Sequence, residues 1–104
     1  MKAALLTSHG GNEVLSVGSR PDPAPGPGEV LVRVSAAALN RLDLFVRNGM
    51  PGVPVAFPHV PGADGCGTIE AVGDGVPGIS VGERVVLQPG VSCGSCEFCR
   101  DGER

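Results

Sequence analysis

Three cysteines stand within seven residues of one another at Cys93-Gly94-Ser95-Cys96-Glu97-Phe98-Cys99. Two overlapping Cys-x-x-Cys steps place three soft sulfur ligands on one tight loop. Zinc suits that donor set, since a structural zinc takes four tetrahedral ligands with sulfur at about 2.3 Å. The spacing therefore predicts a structural zinc held by Cys93, Cys96 and Cys99, with a fourth ligand from beyond residue 104. Between Gly90 and Arg104 the only large apolar side chain after Val91 is Phe98. Such a segment cannot bury a core of its own, so a metal must organise it. The competing readings are three incidental cysteines or a redox Cys-x-x-Cys, and the second lacks the βαβ surroundings such a pair needs.

Other chemistry-bearing residues read as structural from spacing alone. His9 falls in the turn Ser8–Asn12 with no second donor nearby in sequence. His59, between Pro58 and Pro61, belongs to an extended loop rather than a ligand set. Cys66, between Gly65 and Gly67, is expected to be a small core residue. Asn40 is a good helix N-cap, Asp43 sits where it can bond back to it, and Leu39 can staple to Leu44.

The elements that must position these residues are mostly strands. Lys2–Thr7 and Glu13–Val17 predict a hairpin, and Pro21, Pro23, Pro25 and Pro27 make a stiff extended connector. Glu29–Ser35 alternates clearly, with Val30, Val32 and Val34 on one face and Leu31, Arg33 and Ser35 on the other. A short helix follows from Asn40 and ends at Gly49. Thr68–Val72 and Val81–Leu87 are the remaining strands. The glycines from Gly62 to Gly67 follow no strand-to-helix pattern, which excludes a dinucleotide loop there and leaves turns and close backbone packing.

The 17 glycines and 10 prolines approach a disordered composition, but the apolar content of 41% is enough to fold one ordinary domain of 104 residues. A net charge of −3 gives no basic patch for nucleic acid or an anionic membrane surface. No run of about 18 apolar residues is present. Closely spaced cysteines in such a chain suggest metal binding in a reducing cytoplasm rather than disulfides.

Taken together, Lys2-Ala3-Ala4, Pro25 to Val34, Asn40-x-x-Asp43, Gly62 to Gly73, Val81 to Val85 and the cysteine loop occur in the order found in medium-chain dehydrogenases/reductases, a family this chain resembles over essentially its whole length. The resemblance implies a mainly β fold: a GroES-like, partly open β-barrel over residues 1–89, with a short helix, then a truncated structural zinc lobe over 90–104. It implies that the nucleotide-binding Rossmann domain is absent from this chain. In relatives with this lobe, a fourth cysteine follows the third by about eight residues.

Zinc-catalytic alcohol dehydrogenases carry a cysteine ligand where this chain has Asn40, and histidine followed by glutamate where it has Ala63-Asp64. Alanine binds no metal, so the resemblance implies a structural but no catalytic zinc, as in members resembling quinone oxidoreductases. Such enzymes move hydride between NAD(P)H and a small carbonyl, enone or quinone. Without a Lewis acid, hydrogen-bond donors must hold the developing oxyanion. Asn40 is the candidate catalytic donor, Phe45 a candidate wall of the substrate pocket, and Asp64 a structural or supporting residue. The expected partner is a small-molecule substrate, with room for a homo-oligomer in the full-length protein and no activity from these 104 residues alone. A stand-alone GroES-like binding module with a zinc loop is the alternative. A co-chaperonin fits less well, because zinc-lobe cysteines have no place in one.

Overall fold

A computed structural model describes residues 1–103; Arg104, the last residue of the expected lobe, lies outside the described residues. Among the described residues, five strands and two short α-helices follow one another: β1 (Lys2–Leu6), β2 (Leu15–Ser19), β3 (Val30–Ala36), α1 (Arg41–Asn48), β4 (Cys66–Val72), β5 (Arg84–Val86) and α2 (Glu97–Arg100). β1 and β2 form an antiparallel ribbon running from Lys2 opposite Ser19 to Leu6 opposite Leu15. β3, β4 and β5 form a second antiparallel sheet with β4 in the middle.

The fold is mainly β, and its two sheets do not close into a barrel. The ribbon is extended by His59, whose backbone exchanges hydrogen bonds with Leu6 at 2.8 and 3.0 Å. His59 thus sits in extended chain, as its flanking prolines suggest.

Three strand expectations shift in detail. Residues Asn12–Val14 form a 3-10 turn, which removes Glu13 and Val14 from the hairpin and starts β2 two residues later than the alternation predicts. The β3–β4 register slips between Leu31 and Val32 and again between Val34 and Ala36. These bulges break the simple two-face alternation, and Val34 is left 55% exposed. The last strand is confined to Arg84–Val86, because Ser80–Glu83 form a turn in which Glu83 N–H donates to Ser80 O at 3.1 Å.

The buried apolar set is small: Leu5, Leu6, Val14, Ile69 and Cys99. Cys66, expected in the core, is only half-buried. Close packing of β4 on β3 depends on Gly67, where an added Cβ would fall on the Arg33 carbonyl oxygen. That contact gives the Gly62–Gly67 run its physical meaning.

α1 has the predicted boundaries. The Asp43 carboxylate accepts from the Asn40 backbone N–H at 2.9 Å, and Asn40 O accepts from Asp43 N–H at 3.0 Å. Asn40 and Asp43 stand in a capping-box arrangement, and the half with good geometry is the one made by Asp43. At the other end Gly49 adopts φ +97 and donates to Phe45 O. The expected Leu39–Leu44 staple is not formed tightly, since Leu39 is 97% exposed. Instead Arg47 braces the helix, donating to Asn12 Oδ1 at 2.7 Å, and His9 Nδ1 lies 3.0 Å from Val46 O.

Candidate functional site

The cysteine lobe is built by local backbone geometry. Cys96 caps α2, its sulfur accepting from Cys99 N–H at 3.5 Å. Cys93 Sγ accepts from Cys96 N–H at 3.3 Å. The loop thereby turns its sulfurs toward a common point: all three Sγ atoms lie within 4.8 Å of one another. The Cys93 and Cys99 sulfurs are 3.8 Å apart, matching the edge of about 3.8 Å that a tetrahedron with zinc–sulfur bonds near 2.3 Å requires.

Backbone N–H groups of Ser95 and Cys96 also hold the Cys93 thiol down to about 6 from its ordinary 9.0, favouring the thiolate that binds metal. The residues present fit zinc. Among the described residues they form the one cluster of three potential ligands. Sequence spacing singled out the three cysteines whose sulfurs converge but not the N–H groups that aim at them, because the direction of a backbone amide is a property of the folded turn.

The second region lies where β3 leads into α1. A cleft of about 640 Å³ is lined by apolar side chains including Leu6, Leu15, Leu44 and Leu87, with Asp43, Arg47 and Asp64 as its charged members. Asp64 faces this cleft and also grips the chain beside it. Its Oδ1 accepts from Ala38 N–H at 3.2 Å, and its Oδ2 accepts from Asn40 Nδ2 at 2.9 Å. Asn40 and Asp64 are thus brought together across 24 residues of sequence. Phe45, on α1, is 52% exposed and lies outside the lining of the cleft.

A catalytic metal does not fit this second region. Of Asn40, Ala63 and Asp64, alanine offers no donor, and the Asn40 amide is turned as a hydrogen-bond donor onto the Asp64 carboxylate. A catalytic zinc takes about three protein ligands and an open position.

Residues 26–104 match the alcohol dehydrogenase GroES-like domain, and the chain belongs to that family, within the medium-chain dehydrogenases/reductases. The rat quinone oxidoreductase is 39% identical over 99 residues, covering 94% of this chain and 30% of that protein. A crystal structure of an NAD-dependent alcohol dehydrogenase superposes with a TM-score of 0.89 at 53% identity, over 99% of this chain and 30% of the other. A cobalt- and zinc-bound thermostable alcohol dehydrogenase from Pyrobaculum aerophilum gives a TM-score of 0.89 at 40% identity, over 99% of this chain and 31% of its own. The chain therefore spans between about a fifth and a third of the length of the relatives it matches. Relatives named as alcohol dehydrogenases and quinone oxidoreductases make the family one of oxidoreductases.

Proposed function

We propose that this chain is the substrate-side portion of an NAD(P)H-dependent oxidoreductase that transfers hydride to or from a small carbonyl, enone or quinone. Residues 1–89 form the wall of the substrate site, and residues 90–104 form a lobe that zinc holds together without joining the chemistry. The observation that carries this reading is the contrast in donor sets: three converging sulfurs in the lobe, and an amide bonded to a carboxylate beside Ala63.

The nicotinamide, when bound, supplies or accepts the hydride. The residues here then have two tasks. Asn40 retains a second N–H on Nδ2 to donate to the substrate oxygen as negative charge develops on it. Asn40 is itself exposed, and the apolar cleft lies beside it, lined by its neighbour Leu39 and its partner Asp64. Phe45 belongs to the substrate-facing side once the rest of the enzyme covers α1. Residues 1–104 alone do not turn over substrate, since hydride transfer needs donor and acceptor held within about 3–3.5 Å. Reduced cysteines fit a cytoplasmic setting, and among the described residues no helix is long and apolar enough to cross a membrane.

The test is a turnover assay of the intact enzyme with NADH and NADPH against quinones, α,β-unsaturated ketones and simple aldehydes. Cofactor oxidation with at least one class is expected. Inactivity toward all of them, in protein that binds the nucleotide, contradicts the reading.

A further inference from the structure

A side-chain amide on an exposed loop turns freely about its last torsion, because such torsions are broad and roughly two-fold. Asn40 does not have that freedom. Its backbone N–H is held by Asp43 Oδ2 at 2.9 Å and its Nδ2 by Asp64 Oδ2 at 2.9 Å. Asp64 is itself anchored by Ala38 N–H on its other oxygen. One carboxylate therefore fixes the backbone of Asn40 and a second fixes its amide. Hydrogen bonds to an ionised acceptor are about twice as strong as neutral ones, so Asp64 is well suited to select one orientation of the amide. The other Nδ2 N–H has no partner among the described residues.

We propose that Asp64 is a positioning residue: it locks the Asn40 amide so that the remaining N–H is presented in one direction to the substrate oxygen. The proposal rests on the reading of Asn40 as the substrate donor. Asp64 touches Asn40 directly and acts on the reaction only through it.

A double-mutant cycle in the intact enzyme tests this. Asp64→Ala is expected to lower kcat about tenfold with KM changed less than about twofold, because a fixed donor becomes mobile. In an Asn40→Ala background the same change is expected to alter kcat by less than about twofold, since coupled residues do not add. Equal losses in both backgrounds overturn the proposal. Asp64→Asn keeps side-chain volume and one acceptor oxygen; it is expected to fall between wild type and alanine, and it serves if Asp64→Ala fails to fold. The side-chain amide NMR signals of Asn40 provide a readout independent of turnover. They are expected to move in both Asp64 variants, and signals that stay at their wild-type positions overturn the proposal even where kcat falls. Wild-type kcat in Asn40→Ala refutes the donor reading and its catalytic consequence, whereas the NMR signals alone decide whether Asp64 holds the amide.

Discussion

Cys93, Cys96 and Cys99 meet because they are neighbours in sequence, whereas Asn40 and Asp64 meet only because β4 lays its leading loop against the end of β3. The lobe encodes its donors locally and lacks apolar side chains to hold them. Phe98 is 63% exposed and Val91 fully so, and Cys99 is the one buried residue among the described residues of the lobe. The Asn40–Asp64 pair has the reverse character. Its two side chains are ordinary polar residues, and the sheet supplies their geometry. The comparison teaches that metal can organise one region while packing organises the other, so the two should fail independently.

The largest expected effect is in the lobe. Structural zinc in small domains contributes about 10–16 kcal/mol of binding free energy that doubles as folding energy, so Cys96→Ser should abolish zinc retention and open residues 90–103 to amide exchange. Residues 1–89 should keep their protection. Loss of protection in both regions together would break the distinction between them.

Next comes Asn40→Ala, which should lower kcat by about one to three orders of magnitude, the range for loss of an oxyanion donor. Its cost as a helix cap is about 1 kcal/mol, so melting temperature and turnover separate the two roles. Asn40→Ser sharpens the separation, since serine still caps but reaches less far. Unchanged turnover in both variants would leave Asn40 a structural residue.

Gly67→Ala probes the packing of the sheet without touching the sulfur donors of the lobe. Its Cβ would meet the Arg33 carbonyl oxygen, and overpacking of this kind costs about 1–3 kcal/mol. Thermal unfolding should show that loss while zinc content stays at its wild-type value; a fall in zinc would mean that the lobe depends on the sheet.

The smallest effect is the pH dependence of zinc retention. Cys93 is depressed from 9.0 to about 6 in the folded lobe by the Ser95 and Cys96 N–H groups. Its contribution to lobe stability is therefore fully present above pH 9 and is lost as pH falls through about 6. Zinc content after dialysis across a pH series should fall as pH drops through about 6, and full retention well below that pH would remove this contribution.

The limits of α1 were legible because Asn40, Asp43 and Gly49 act within one helical turn of the boundaries they set. The convergence of Cys93, Cys96 and Cys99 was legible for the same reason. β2 and β5 were misplaced because the turns at Asn12–Val14 and Ser80–Glu83 compete with strand pairing, and alternation of apolar residues does not register that competition. The bond from Asn40 to Asp64 was hidden further still. The sequence marks Asp64 as a carboxylate beside Ala63, but only the close approach of β4 to β3, permitted by Gly67, brings it within 2.9 Å of the amide.

The most direct test of one metal-built region beside one packing-built region is the zinc stoichiometry of the intact protein, measured by elemental analysis after exhaustive dialysis. One tightly bound zinc per chain is expected, lost in Cys93→Ser, Cys96→Ser or Cys99→Ser and retained in Asn40→Ala and Asp64→Ala. Two tightly bound zinc ions per chain, one of them lost in Asn40→Ala or Asp64→Ala, would contradict it.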